Sequence, residues 1–189
     1  MTQPDEIISL LAPLRAVQRL LDRFGDRGII IGGVAASLLG RPRLTADVDA
    51  VLLLSVDELP RLIEAANEEG LVPRIADAAD FARRNRVLLL RHATSGIDVD
   101  ISLGMLPFEV EAVERGLSYQ VGPLALRLPS PEDLVILKAV AHRPKDIEDI
   151  RAIVEMHTGL DWNRIETWVR QFAEVLEAPE IWEDVARLR

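Results

Sequence analysis

Two aspartates separated by a single residue are the first sign of chemistry in this sequence. Asp47 and Asp49 begin the run DVDAVLLL, whose valines and leucines are typical of a β-strand. Because side chains alternate along a strand, both carboxylates should lie on the same face. Two like charges held together repel each other, and a divalent cation bound between them is the usual reason for such a pair.

A later strand offers a third carboxylate. The stretch IDVDISLG alternates apolar residues with Asp98 and Asp100, which predicts a strand with both acids on one face. If the two strands are neighbours, three carboxylates converge at one end of a sheet, and either Asp98 or Asp100 is the third. Carboxylate oxygens suit Mg²⁺ or Mn²⁺ better than Zn²⁺. Two such ions stabilise both the attacking and the leaving oxygen in phosphoryl transfer.

A pair of glycines precedes the acids and could hold phosphates. Gly32 and Gly33 follow the apolar run GIII and open a short helical pattern. A strand, a turn and a helix start bring free backbone N–H groups together, which favours an anion site. We expect this backbone to bind the triphosphate of a nucleotide, with Ser37 and Arg43 as supplements. The pair lacks the G-x-G-x-x-G pattern of dinucleotide-binding proteins, which argues against a Rossmann-type oxidoreductase.

The elements that would position these residues follow from the periodicity of the sequence. Strands are predicted at 28–32, 47–54, 71–75, 86–92, 97–103, 117–121 and 124–128. Helices are predicted at 5–24 (broken near Pro13), 33–39, 58–68 and 77–84, then at 130–142, 144–157 and from 162 and 179 onward. Strands thus occupy the first two-thirds and helices the last third, which predicts an α+β fold. We expect a catalytic core at 1–128 and a C-terminal helical region at 129–189.

Composition limits the classes of function. The net charge of −9 argues against indiscriminate binding to nucleic-acid backbones. Arg41, Arg43 and the arginines between 83 and 91 could still form a local basic patch, although the second group is more simply a solvated face. The sequence contains no cysteine, which excludes disulfides, thiolate catalysis and Cys-ligated zinc. It has no membrane-spanning segment, and MTQPDEIISL is unlike a secretion signal, so we expect a cytoplasmic protein.

The order of these motifs resembles that of the DNA polymerase β-like nucleotidyltransferase superfamily. The residues that carry the resemblance are IGG at 31–33, DVDAV thirteen residues later and VDI at 99–101. Two further stretches, RLTAD at 43–47 and SPEDLVILKAVAHRPKDIEDI at 130–150, are similar to bacterial nucleotidyltransferases of the AbiEii/AbiGii abortive-infection toxin type. The resemblance covers residues 28–153. It implies the minimal nucleotidyltransferase fold, a mixed β-sheet flanked by helices, with a C-terminal helical region.

The resemblance also implies an activity and its site. Members of the superfamily transfer a nucleoside monophosphate from an NTP such as ATP to an acceptor, with two Mg²⁺ or Mn²⁺ ions. Gly32 and Gly33 carry over as the phosphate-binding turn, and Asp47 and Asp49 as catalytic metal ligands. Asp100 fits the third catalytic and metal-binding position better than Asp98, because the ISLG that follows it matches the family's apolar-Asp-apolar strand with a glycine after it.

Three residues of the C-terminal region match the toxin-type subgroup. Lys138 falls where that subgroup has a lysine that contacts the nucleotide phosphates, and Asp146 and Asp149 match its Lys-Asp-x-x-Asp pattern. Each has a structural alternative: Lys138 could lie on the surface of an amphipathic helix. Asp146 and Asp149 could belong to a helix N-terminus and a solvated face.

The sequence leaves the acceptor open. The resemblance implies RNA, such as the 3′ end of a tRNA, or a protein side chain, with an antitoxin as a partner. A small hydroxylated compound of the aminoglycoside kind is a related alternative. A catalytically idle module that binds a nucleotide or a partner protein within a toxin–antitoxin pair belongs to a different class of function. The presence of all three acids argues against that idle module.

Overall fold

The first part of the chain is built on a mixed five-stranded sheet. The computed structural model describes residues 4–189, and its strands β1 to β5 lie in the order β1-β2-β5-β4-β3. β2 and β5 are parallel, whereas the other neighbouring pairs in this sheet are antiparallel. The strands are β1 (Gly28–Ile31), β2 (Asp47–Leu53), β3 (Leu71–Pro73), β4 (Val87–His92) and β5 (Asp98–Gly104).

One face of this sheet is buried and the other carries the acids. On β5, Val99 and Ile101 are fully buried, and the residues that alternate with them are partly accessible. On β2, Val48, Ala50 and Leu52 are buried on the same face, and Val51 on the opposite face is buried as well. The period of two predicted from the sequence therefore holds at the end of both strands that carries the aspartates. The acid face, as we call the opposite face, carries Asp47, Asp49, Asp98 and Asp100.

Helices and a hairpin surround the sheet. These elements are α1 (Pro4–Asp22), α2 (Gly32–Leu39), α3 (Leu59–Glu68), α4 (Ala78–Asn85), α5 (Pro107–Glu114) and the hairpin β6 (Leu117–Val121) with β7 (Leu124–Leu128). α1 contacts β1 and β2, and α5 contacts β2. α3 contacts β3, α4 contacts β4, and β7 lies beside β1. The predicted α+β fold with a mixed sheet flanked by helices is confirmed.

Two details of the prediction were wrong. α1 continues through Pro13, because burial of Leu14, Val17 and Leu20 on one stripe outweighs the roughly 3 kcal/mol that an internal proline costs. α5 was not predicted at all. Its core contacts come from Phe108, Ala112 and Val113, and so short an apolar pattern is weak evidence for a helix.

The chain divides into two compact units, and the division falls within α2 and again after Leu128. One unit holds the chain up to Val34 and Leu44–Leu128, which includes the sheet. The other holds Ala35–Arg43 and Pro129–Arg189. Its helices are α6 (Pro131–Ala141), α7 (Pro144–Met156), α8 (Trp162–Val175) and α9 (Glu180–Ala186).

The second unit is a set of helices around α6. α6 contacts α7, α8 and α9, and apolar side chains such as Leu134, Ile153 and Val169 are fully buried. The Ser130 side chain accepts a hydrogen bond from the backbone N–H of Asp133, so it caps α6 as its sequence position predicts. Within residues 4–189, no helix has both the length and the apolar character needed to cross a bilayer.

Candidate active site

The parallel pairing of β2 with β5 places the four acids of the acid face side by side. Asp47 is the register partner of Asp98, and Asp49 is the register partner of Asp100. Neighbouring strands are about 4.8 Å apart, and register partners in a parallel pair point to the same side. The structure therefore brings together the three sequence-predicted acids Asp47, Asp49 and Asp100, and Asp98 lies beside them.

Gly32 lies against the carboxylate of Asp49. β1 pairs with β2 so that Ile31 is opposite Asp49, and Gly32 follows as the first residue of α2. Its φ of +65° is in the left-handed region that favours glycine. A Cβ at this position would lie 2.0 Å from Asp49 Oδ2 and 2.8 Å from its Cβ and Cγ. Both the backbone conformation and the approach of Asp49 therefore require glycine.

The start of α2 also supplies backbone donors in this unit. Gly32 and Gly33 are the first two residues of the helix, and Gly33 is buried. The first N–H groups of a helix have no partner inside the helix and carry partial positive charge. The predicted phosphate-binding turn therefore coincides with a helix N-terminus next to Asp49.

Arg74 contacts two of the four acids. It follows β3, where its backbone N–H donates to Leu89 O of β4 at 3.1 Å. Its Nη1 lies 3.0 Å from Asp100 Oδ1 and 3.1 Å from Asp98 Oδ2. Its Nη2 donates to Asp100 Oδ2 at 3.2 Å. One guanidinium thus neutralises part of the repulsion among the carboxylates.

The environments of Asp98 and Asp100 differ. Arg91, opposite Asp98 on β4, donates from Nε to Asp98 Oδ1 at 2.7 Å, so both oxygens of Asp98 contact arginines. Asp100 Oδ1 is buried and accepts no hydrogen bond, because the 3.0 Å contact with Arg74 Nη1 lacks the geometry of one. Asp98 therefore has the character of a structural ion-pair residue. Asp100 keeps a carboxylate oxygen with unused bonding capacity.

The pKa values of Asp98 and Asp100 are shifted in opposite directions. The hydrogen bond from Arg91 lowers the pKa of Asp98, against the opposing effect of burial. Burial raises the pKa of Asp100 above its ordinary value, although the charge of Arg74 and its hydrogen bond act against the rise. Asp100 is consequently the better proton acceptor of the two.

Asp47 lies at the open end of the group. It is exposed, and the Thr45 hydroxyl donates to its Oδ1 at 3.1 Å. Asp49 is partly accessible. The donor set at this end of the acid face is therefore made of hard carboxylate oxygens, which suit Mg²⁺ or Mn²⁺.

These side chains fit a divalent ion by chemistry, but they do not form a closed cage. Among the residues described, 4–189, no group of three or more His, Asp or Glu side chains is arranged so that it could hold a metal ion. The observations that favour a cation are the in-register acids and the buried Asp100 Oδ1 without a hydrogen bond. The guanidinium of Arg74 contacts Asp100, and this contact is one reason why the acids do not enclose an ion.

The C-terminal residues Lys138, Asp146 and Asp149 form a cluster of their own in the second unit. The Lys138 ammonium lies 2.9 Å from Asp146 Oδ1 and 2.8 Å from Asp149 Oδ2, and its side chain is only 5% exposed. Both acids are buried as well. The alternatives of a surface lysine and a solvated acidic face were therefore wrong, because these charges compensate one another inside the unit.

Two arginines with accessible side chains, Arg43 and Arg143, pair with the acids of this group. We call Lys138, Asp146 and Asp149 the buried charge cluster. Arg43 donates from Nε and Nη2 to the two oxygens of Asp149 at 2.7 and 2.8 Å. Arg143 donates from Nε to Asp146 at 2.6 Å. The burial of both acids would raise their pKa values, but the hydrogen bonds from the arginines and Lys138 outweigh it and lower both.

Ser37 and Arg43, the predicted supplements of the phosphate site, contact each other in the second unit. The Ser37 hydroxyl donates to Arg43 O at 3.0 Å. This bond and the bidentate pair of Arg43 with Asp149 fix the segment that precedes Asp47 in sequence. Contacts of Ser37, Arg43 and Lys138 with a nucleotide stay predictions.

Arg74 is the residue of this site that the sequence did not reveal. Its contacts depend on the register of β3 with β4, and no local pattern around Pro73 encodes that register. The alternation in IDVDI identified Asp98 and Asp100, but it could not show that Arg91 on β4 and Arg74 after β3 compensate them.

Comparison with solved structures finds a protein with a similar fold. A crystal structure of an antigenic nucleotidyltransferase-like protein from Paracoccidioides brasiliensis is similar, with a TM-score of 0.54 and 17% sequence identity. The similarity covers 97% of this chain and 93% of that chain. At this level of identity it shows the fold. No curated protein matches the sequence significantly.

A family match identifies the chain more directly. A profile described as "Nucleotidyltransferase of unknown function (DUF6036)" matches residues 6–185. The resemblance to nucleotidyltransferases inferred from IGG, DVDAV and VDI is thereby confirmed at the level of the family. Because the match spans nearly the whole sequence, the protein belongs to this nucleotidyltransferase family.

Proposed function

We propose that the protein is a metal-dependent nucleotidyltransferase that transfers a nucleoside monophosphate from an NTP to an acceptor hydroxyl. The observation that supports this best is the in-register pairing of Asp49 with Asp100 and of Asp47 with Asp98, next to Gly32. Carboxylates so placed repel one another, and a cation would relieve that repulsion. Membership in a nucleotidyltransferase family supports the same general activity.

In this proposal Asp47, Asp49 and Asp100 would hold Mg²⁺ or Mn²⁺. The ions, when bound, would neutralise the triphosphate and the charge that develops during transfer. The acceptor oxygen bonds to the α-phosphorus, the bond from that phosphorus to the α,β-bridging oxygen breaks, and pyrophosphate leaves. Asp100, the third of these acids, would also take the proton of the acceptor hydroxyl.

The backbone at Gly32 and Gly33 would bind the phosphates. The backbone N–H groups at a helix start and the positive end of the helix dipole favour an anion, and Gly32 and Gly33 are the first residues of α2. Ser37, Arg43 and Lys138 make the contacts described above within the second unit. We therefore base the proposal on the glycine backbone and the acids.

The acceptor class follows from the resemblance to the AbiEii/AbiGii-type toxins. We propose a tRNA or a protein side chain as the acceptor and an antitoxin as the partner that restrains the activity. A small hydroxylated compound is the alternative that the acidic net charge of −9 favours. Of the arginines between 83 and 91, Arg83, Arg84 and Arg91 form ion pairs with acids of their own unit.

The experiment that separates these acceptors uses α-labelled and γ-labelled NTPs. The protein is incubated with Mg²⁺ and total bacterial RNA, with bacterial protein, or with aminoglycosides. Label from the α position, but not from the γ position, should appear on one acceptor class, and the Asp49→Asn variant should transfer none. Transfer of γ label would mean kinase chemistry and would contradict the proposal.

A binding module without catalysis is the second candidate. The observation in its favour is that Arg74 contacts both oxygens of Asp100 and that residues 4–189 contain no group of three acids or histidines arranged to hold a metal. Such a module would bind NTP in the presence of Mg²⁺ but release no pyrophosphate with any acceptor. Binding without release would therefore favour the module over the enzyme.

A further inference from the structure

Both oxygens of Asp100 are already engaged or covered in this structure. Oδ2 accepts a hydrogen bond from Arg74 Nη2 at 3.2 Å. Oδ1 is buried and lies 3.0 Å from Arg74 Nη1. A divalent ion binds a carboxylate oxygen directly, at about 2.1 Å for Mg²⁺. An ion at Asp100 therefore needs an oxygen that the guanidinium of Arg74 now occupies or shields.

We propose that the guanidinium of Arg74 compensates the charge of Asp100 and competes with a divalent ion for that carboxylate. The inference rests on the proposed function, because it concerns the same metal site. In the ion-free protein, Arg74 compensates Asp100 and Asp98 and stabilises the carboxylates against their mutual repulsion. The ion at Asp100 binds only when the guanidinium moves away from at least one oxygen, so Arg74 lowers the affinity of this position.

The placement of Arg74 supports this role over that of a permanent structural pair. Its side chain is 21% exposed, and it enters the group from the residue that follows a three-residue strand near the edge of the sheet. The Arg74 side chain, attached outside the strand, can change rotamer without disturbing the sheet. Asp98 would keep its contact with Arg91 when Arg74 leaves, so one carboxylate of the group stays compensated.

Arg91 provides a matched control. It carries the same charge on the same face, but it contacts Asp98 and is 51% exposed. Arg74→Gln and Arg91→Gln each remove one positive charge beside the acids. A general effect of net charge would therefore appear in both variants and would weaken as salt is raised, whereas competition at Asp100 is specific to Arg74.

The test is a titration with Mn²⁺ alone at about 0.15 M salt. The EPR signal of the free ion measures how much Mn²⁺ is unbound at each step. Arg74→Gln should bind Mn²⁺ about tenfold or more tightly than the wild type, a gain expected when a charge-assisted contact no longer competes. Arg74→Lys should bind more tightly too, because an ammonium cannot contact both oxygens as a fork. Arg91→Gln should stay within about twofold of the wild type. Thermal unfolding without metal checks that each variant is folded.

The double variant Arg74→Gln/Asp100→Asn locates the effect. The gain in affinity should disappear in it, because the competing oxygens are gone. Equal affinity of Arg74→Gln and wild type, an equal gain in Arg91→Gln, or a gain that persists without Asp100 would each overturn the inference while leaving the proposed function intact. Absence of Mn²⁺ binding in every protein would contradict the metal-dependent function itself, and this inference with it.

Discussion

At the scale of single residues, the site depends on a close approach between Gly32 and Asp49. The ideal Cβ position of Gly32 overlaps the carboxylate of Asp49, at 2.0 Å from Oδ2. A separation under 3 Å cannot be accommodated without moving the carboxylate or the backbone. Asp49 thus has its orientation restricted by the backbone of the predicted phosphate turn.

Gly32→Ala should reduce nucleotidyl transfer much more than it reduces stability. The methyl group would displace the Asp49 carboxylate, and we expect a loss of transfer of about 100-fold, typical of a misplaced catalytic group. Gly70→Ala is the matched control, because Gly70 has a φ of +73° and no atom within 4 Å of its ideal Cβ. Gly70→Ala should lose about 1 kcal/mol of stability in urea unfolding from the positive φ, and Gly32→Ala should lose more, because its methyl group also overlaps Asp49. Equal activity in the two would contradict the importance of the Asp49 contact.

At the scale of elements, the sequence predicted the strands and their faces but did not show that β2 lies beside β5. The alternation in DVDAV and IDVDI fixes which side chains share a face, because that property is local. The order β1-β2-β5-β4-β3 is not local, and it alone makes Asp100 the partner of Asp49. Arg74 could not be predicted for the same reason, since the register of β3 with β4 places it at the acids.

The pairing of α6 with α7 shows the same limit. Lys138, Asp146 and Asp149 could be recognised as a pattern, but the sequence could not show that the three charges lie inside the unit and compensate each other. Burial of a charge is decided by its partners. The contact of Arg43 with Asp149 bridges residues far apart in sequence, and no motif predicts it.

Lys138→Met should destabilise the protein strongly. Removal of the ammonium leaves two buried carboxylates with fewer partners, and breaking a buried ion pair in this way costs about 3–5 kcal/mol. Urea unfolding monitored by far-UV circular dichroism measures the loss. Lys145→Met is the control, because Lys145 is exposed near the start of α7 and should change stability by less than about 0.5 kcal/mol. Similar stabilities for the two variants would contradict the role of the buried charge cluster.

The same cluster makes stability depend on acid pH. Although burial opposes the shift, hydrogen bonds lower the pKa of Asp146 and of Asp149 in the folded protein below the unfolded value of about 3.9. The unfolded chain therefore binds more protons, so this stabilisation is complete above about pH 4 and is lost as the pH falls through the folded pKa values. Urea unfolding between pH 7 and pH 3 should show the decline. In Asp149→Asn, which starts less stable, the decline should be smaller, and an unchanged slope would contradict the assignment.

At the scale of the whole molecule, charge bears on the acceptor. The net charge of −9 and the ion pairs of Arg83, Arg84 and Arg91 leave little free basic surface in that stretch. The salt dependence of tRNA affinity, measured by fluorescence anisotropy, therefore separates the two proposed acceptors: a log–log slope shallower than about −2, which this charge distribution favours, would leave the protein side chain. A steep slope would show many phosphate contacts and would favour RNA as the acceptor.

One transfer assay on four proteins tests whether Asp49 and Asp100 hold the catalytic ions. Wild type, Asp49→Asn, Asp100→Asn and Asp98→Asn are incubated with α-labelled NTP, Mg²⁺ and the acceptor identified as above. We expect Asp49→Asn and Asp100→Asn to lose about 100-fold or more, since each removes a ligand of the proposed metal site. Asp98→Asn should stay within about tenfold, because its oxygens serve Arg74 and Arg91. Full transfer by Asp49→Asn, or loss in Asp98→Asn with activity kept in Asp100→Asn, would contradict the account.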